Sequence, residues 1–162
     1  MRESVHTPSN LSDGILSDFL QYWIDLCGNR PIPIWSDVKA EKIPRFVLPH
    51  LIVLEILEDN DFYYRLTGTK VDEYMGFTLQ GYRLSKAPFR DDKTISQAFH
   101  AIVEAKEPQY SNFALGTKLT DFGKTERVVA PMSNSGTNVD MLIGAVVYSA
   151  PSNIYVRKSF TI

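Results

Sequence analysis

The residues able to do covalent chemistry are few and poorly placed for it. Ser133-Asn134-Ser135-Gly136 is a turn sequence and lacks the GxSxG spacing of a nucleophile elbow. Gly68 and Gly76 are too far apart for a GxGxxG loop, and the sequence has no GxxxxGK[ST] string, so no phosphate cradle can be written. Cys27 is the single cysteine, which excludes an intrachain disulfide and any CxxC or Cys/His metal spacing. The adjacent carboxylates Asp72/Glu73 and Asp91/Asp92 sit where helices begin or face solvent. Asp140, near the start of the last strand, is the one strand-borne Asp that could move a proton in a pocket. An enzyme of the cone-shaped α+β isomerase or dehydratase type would depend on it. Non-enzymatic binding fits this inventory better.

The elements that would carry a binding site can be read from periodicity. Residues 1–10 are polar, contain Pro8 and lack an apolar signal core, so they read as a flexible leader. Leu11, Ile15, Leu16, Phe19, Leu20, Trp23 and Cys27 form one helical stripe. Ser9, Asn10 or Ser12 would cap that helix, and Gly28 with Pro31 would end it. The stretch holding Pro31, Pro33, Pro44 and Pro49 also holds Trp35, Ile43, Phe46 and Val47, which need burial; it reads as an ordered connector.

Leu51–Glu58 and Phe62–Thr67 are strands joined by Asp59-Asn60-Asp61. A three-residue loop aligns their apolar faces and pairs Leu54 with Leu66, Ile56 with Tyr64 and Glu55 with Arg65. Gly68–Gly76 is a short helix, Gly81–Phe89 a loop, and Asp92–Lys106 a helix with Ile95, Ala98, Phe99, Ile102 and Val103 on one stripe. Asp91 or Asp92 would cap it. Strands follow near Tyr110–Leu119, Thr125–Met132 and Val139–Ser149, with turns at Phe122-Gly123 and Asn134-Ser135-Gly136. The last strand is apolar on both parities and must be covered on both faces, with the N-terminal helix as the second cover. This predicts an α+β fold of five antiparallel strands with helices on a concave face. The domain spans residues 11–150, and 151–162 form a tail.

Composition sets the outer limits. The 162 residues are 44% hydrophobic with 12% aromatics, enough for one folded domain. A net charge of -2 provides no positive field for nucleic acid or an anionic membrane. No apolar run approaches the roughly 18 residues of a membrane span. A lone cysteine points to a reducing, cytoplasmic compartment.

The string Tyr64-Arg65-Leu66-Thr67-Gly68-Thr69, followed by Gly76, Thr78, Leu79 and Gly81, resembles the YRLxGT…G…LTG core of a bacterial, stand-alone subgroup of PAS-like proteins. Tyr22-Trp23, Arg30-Pro31-Ile32-Pro33, Ile43-Pro44, Leu48-Pro49, Pro131-Met132-Ser133, Gly136 and Ile143-Gly144 also fit it. The resemblance covers about residues 20–150. It implies a sensory or regulatory module that holds a small molecule between its helices and the concave sheet, with no effector after Ser149. Tyr64, Leu66, Val71, Tyr74, Met75, Phe99, Ile102, Val103, Phe113 and Leu115 would line that space. The plainer alternative is that these side chains simply fill the core.

The cofactors of such domains can be weighed one by one. Covalent flavin attachment needs a Cys on the short helix after the second strand, but Cys27 sits in the N-terminal helix. Haem needs an axial ligand, commonly His. His6 and His50 lie in poor contexts, and His100 falls off the apolar stripe toward solvent or the pocket rim. Both cofactors are disfavoured, and the ligand remains an unidentified small molecule. A third reading is a ligand-free interaction module or homodimer, joined through Leu16, Leu20 and Trp23 of the N-terminal helix and through Ile154, Tyr155, Val156, Phe160 and Ile162 of the tail.

Overall fold

A computed structural model describes residues 2–4, 11, 13–116 and 121–149, with side chains described for all of these except 2–4, 113–115, 121–122 and 149. The elements in chain order are β1 (Arg2–Ser4), α1 (Gly14–Cys27), β2 (Leu51–Ile56), β3 (Phe62–Thr67), α2 (Thr69–Met75), α3 (Asp92–Ala105), β4 (Gln109–Gly116), β5 (Asp121–Met132) and β6 (Met141–Ser149). Short 3-10 turns punctuate the connectors, three of them in the proline-rich stretch before β2. That stretch is ordered, as its apolar content required: Trp35 N–H donates to Ser133 O, and Ser133 N–H donates to Pro33 O.

The strands form one antiparallel sheet in the order β1-β4-β5-β6-β2-β3. Five long strands and their helices make the expected α+β architecture. The sixth strand is a correction, because residues 2–4 pair with Gln109–Ser111 instead of forming a leader. Strand pairing uses backbone groups, so a polar segment can add to an edge without an apolar pattern. Phe122-Gly123 is also corrected, since both residues lie inside β5 rather than at a turn. Gly123 takes φ 86 beside the irregular pairing at Leu115/Gly116, so this glycine marks a bulge.

α1 starts at Gly14, later than its apolar stripe implied. Its cap is Asp13, whose carboxylate accepts from Ile15 N–H at 2.7 Å and Leu16 N–H at 3.2 Å. Of the caps expected from sequence, Ser9, Asn10 and Ser12 lie outside the described residues. Asp91 precedes α3 but makes no side-chain cap bond. Lys106 ends that helix in the left-handed region at φ 58, two residues before Pro108.

The sheet buries both faces. Leu16, Phe19, Leu20 and Trp23 of α1 pack on Val53, Val128, Ala130, Met132, Met141, Ile143 and Ala145. On the opposite, concave face, α2, α3 and their connector cover Ile52, Leu54, Phe62, Tyr64, Val129, Leu142 and Val146. Met141 to Val147 are all buried, as a strand apolar on both parities demands. Each fully buried Leu or Phe of α1 contributes roughly 1.5–3 kcal/mol. That stripe is therefore held within the chain. Leu16 and Leu20 are 0% exposed and Trp23 is 7% exposed, so they are not free to meet a second copy. The tail residues named for the same contact lie outside the described residues.

The β2–β3 hairpin departs from the expected register. Leu57 N–H bonds Asp61 O, so the loop is Glu58-Asp59-Asn60, with Asn60 at φ 68. Leu54 then faces Tyr64, Ile56 faces Phe62 and Glu55 faces Tyr63. A bulge at Arg65 shifts the pairing, so that Val53 faces Leu66. One extra residue inverts the alternation beyond it. Tyr64 consequently enters the concave core while Leu66 packs against the opposite one. The Arg65–Glu55 ion pair nonetheless forms at 2.7 Å, diagonally rather than directly across the strands. Arg65 also lies 5.4 Å from the Trp35 ring centroid, on the outer face.

Candidate ligand-binding site

The concave face holds a cavity of about 20 Å³ under α2 and the connector that precedes α3. Its wall is apolar on the helix side, from Val71, Met75, Leu79, Phe89 and Ile95, and joins Ile52 and Val146 of the sheet. The polar groups come from four strand residues: Tyr64 on β3, Thr125 and Arg127 on β5, and Tyr148 on β6.

Strand alternation places them. Val129 belongs to the concave core, so Arg127 and Thr125 point the same way. Val128 and Ala130 face α1, and Glu126 shares that side, accepting from Tyr110 Oη at 2.8 Å. In the ladder Thr125 pairs with Tyr148 and Arg127 with Val146. Arg127 is only 6% exposed, and its guanidinium carbon lies 4.8 Å from the centroid of the Phe99 ring. The π-face of Phe99 partly offsets the desolvation of that charge. Phe99 is held in turn by Phe62, edge to face at 5.3 Å and 74°.

Tyr148 stacks on Tyr74 of α2 at 4.0 Å and 13°. Burial pushes the Tyr64 phenol up to about 12, against a smaller opposite pull from the Arg127 charge. Burial also raises Tyr148, again against the Arg127 charge. Both phenols stay protonated at neutral pH and can donate. Thr125 is 1% exposed, and its Oγ1 has no hydrogen-bond partner.

The residues expected to line this space divide sharply. Tyr64, Val71 and Met75 do line it, and Tyr74 supports Tyr148. Phe99 and Ile102 are buried beneath it in the core, with Val103 packed against that core, so they do not line it. Leu66 is on the other side of the sheet, for the bulge reason above. The side chains of Phe113 and Leu115 lie outside the described residues. Sequence reading missed Thr125, Arg127 and Tyr148. Thr125-Glu126-Arg127 puts polar groups on both parities, so alternation alone did not say which face of β5 is concave.

The other candidates for chemistry lie elsewhere. Asp140 Oδ1 accepts from Asn134 N–H at 2.6 Å, and Ser133 Oγ accepts from Gly136 N–H at 2.7 Å, so both organise the β5–β6 turn. The isomerase reading loses its acid to that turn. Cys27 packs in the α1 core, across the sheet from the cavity, and burial pushes its thiol up to about 11. His100 is half-buried against Phe62, with ring centroids 4.7 Å apart, and does not line the cavity. His50 Nδ1 is 2.9 Å from Val146 O. His6 lies outside the described residues. Among the described residues no cluster of three His, Cys, Asp or Glu could hold a metal ion. Among them, too, no helix is long and apolar enough to cross a membrane.

Comparison with solved structures finds the PAS domain of histidine kinase ThkA, at 19% identity and a TM-score of 0.45, covering 62% of this chain and 97% of that one. The PAS domain of BvgS from Bordetella pertussis matches at 11% identity and a TM-score of 0.45, covering 71% and 90%. The N-terminal domain of a diguanylate cyclase with a PAS/PAC sensor from Marinobacter aquaeolei matches at 15% and 0.42, covering 60% and 94%. No curated protein sequence matches this chain. The family model described as PAS domain matches residues 13–147, which is most of the chain. On that match, joined to the antiparallel sheet and its helix-covered concave face, the chain belongs to the PAS domain family.

Proposed function

We propose that this chain is a sensory or regulatory module whose signal is a small molecule bound on the concave face of the sheet, under α2. The observation that carries this reading is the cavity itself: a buried guanidinium, a hydroxyl and two protonated phenols converge inside an otherwise apolar wall. A mostly apolar pocket with a few convergent polar groups is the usual form of a small-molecule site. Its cover is α2, a helix of only 7 residues between Gly68 and Gly76, which is short enough to move with occupancy. The protein works in a reducing, cytoplasmic compartment, where the free thiol of Cys27 is stable.

Native mass spectrometry of the purified chain tests the reading. A retained small molecule that is lost from a Leu79→Trp variant, which fills the cavity from its helix side, is the expected result. A second reading, a ligand-free interaction module, is favoured by the small volume of the cavity, about 20 Å³. Constitutive oligomers with no retained molecule, identical in the Leu79→Trp variant, would replace the first reading by the second.

A further inference from the structure

Thr125 lines the cavity, is 1% exposed, and its Oγ1 has no hydrogen-bond partner. Buried hydroxyls are normally bonded, so an unmet donor in a cavity wall marks a missing acceptor. Tyr64 and Tyr148 line the same space, and burial keeps both phenols protonated at neutral pH. Three hydroxyls that can each donate therefore belong to one wall.

Charge narrows the occupant. Arg127 is already engaged within the chain, and its guanidinium carbon sits 4.8 Å from the Phe99 centroid. A cationic ligand would meet that charge, and among the described residues no carboxylate lines the space to offset it. The nearby Asp72 accepts from Thr67 Oγ1 at 2.7 Å instead. An anionic ligand would be buried against hydroxyls alone, and an uncompensated buried charge costs far more than a buried dipole. A neutral acceptor avoids both costs. A carbonyl oxygen has two lone pairs and no proton to place, so it can take donors from two sides. The volume of about 20 Å³ is roughly one or two waters' worth of space, which limits the occupant to a few heavy atoms. Val71, Met75 and Leu79 supply the apolar wall for its carbon end.

We infer that the concave-face cavity is a site for a small uncharged carbonyl compound, a ketone, aldehyde or amide, whose oxygen accepts from the Thr125 hydroxyl and from one of the phenols of Tyr64 and Tyr148. This rests on reading the cavity as the ligand site and adds the ligand's chemical class. Thr125 distinguishes a binding role from a packing role. In the empty protein its hydroxyl has no partner, so Thr125→Val costs no hydrogen bond there. With a carbonyl bound, the same change removes a donor from the ligand.

The test uses the full chain and acetone. Saturation transfer from the protein to the acetone methyl protons measures binding, and thermal unfolding without acetone measures the fold. The expected result is a transfer that saturates with acetone concentration and is lost in Leu79→Trp, which fills the cavity. Thr125→Val should match or exceed the wild-type Tm, yet bind acetone roughly three- to tenfold more weakly, as loss of one neutral hydrogen bond implies. If Thr125→Val does not fold, Thr125→Ser, which should keep the affinity, and Thr125→Ala, which should lose it, decide. Transfer that is linear in acetone, or equal in wild type and Thr125→Val, overturns the inference. Displacement of acetone by acetate or methylammonium at concentrations below the dissociation constant of acetone overturns the neutral assignment. A charged compound retained in native mass spectrometry and lost from Leu79→Trp, with no saturable response to acetone, overturns this inference and leaves the sensory reading standing. No retained compound and no response to acetone removes both.

Discussion

Adjacent residues on α1 present opposite cases of a buried polar atom, and their substitution should move stability in opposite directions. Trp23 Nε1–H donates to Pro131 O at 2.9 Å in the middle of the outer-face core. Tyr22 Oη, one residue earlier, is buried with no hydrogen-bond partner, and burial raises its pKa. Trp23→Phe removes the donor from a carbonyl inside the sheet, a net loss of roughly 0.5–1.5 kcal/mol. It also shrinks a ring that is 7% exposed, leaving a gap worth about 1 kcal/mol. The sum is a loss of about 2 kcal/mol. Tyr22→Phe removes a hydroxyl whose burial without a partner costs roughly 1–3 kcal/mol, so the variant should be neutral or about 1 kcal/mol more stable. Equilibrium urea unfolding followed by far-UV circular dichroism measures both, because fluorescence would change with Trp23 itself. The m-value should stay constant. For a chain of this length each kcal/mol corresponds to about 2–4 °C in Tm. Destabilisation of Tyr22→Phe by more than about 1 kcal/mol, or a Trp23→Phe variant within 0.5 kcal/mol of wild type, would refute the polar bookkeeping of this face.

Three further outcomes follow from the same structure. Gly68→Ala should lose about 2 kcal/mol or more in denaturant unfolding. A Cβ there would run into the backbone of Pro49 and sit 2.7 Å from Leu48 O, although the φ of -73° is ordinary; retention of wild-type stability would contradict that close approach. A double-mutant cycle on Glu55 and Arg65 should give a coupling of only roughly 0.2–1 kcal/mol. Their side chains are 34% and 44% exposed, and a coupling well above that range would mean the pair is buried. The Tyr64 phenol, held up at about 12, should remain protonated while the unfolded chain ionises near its ordinary value of 10.0. Stability then falls as pH rises between those values, by up to about 3 kcal/mol from this residue, since the unfolded state binds fewer protons there. Tyr64→Phe should flatten that decline in pH-dependent unfolding; an unchanged slope would place the phenol in contact with solvent.

The amphipathic stripes of α1 and α3 determined those helices locally, because residues at three- and four-residue spacing must share a face whatever they later touch. The double-parity apolar run at Met141–Tyr148 likewise implied a central strand covered on both sides, and the structure shows that strand buried between the two cores. The resemblance carried by Tyr64–Thr69 led to the right family. What sequence could not decide was direction. One bulge at Arg65 sends Leu66 away from Tyr64 although two-residue alternation puts them together. Bulges arise from how a strand must bend against its neighbours, so they leave little local signal. The choice of inward face on β5 is the same kind of question. Thr125 and Arg127 alternate with Glu126, and either set is polar enough for solvent. Only the packing of Val128 and Ala130 beneath α1 turns Arg127 toward the concave face and into the wall of the candidate site.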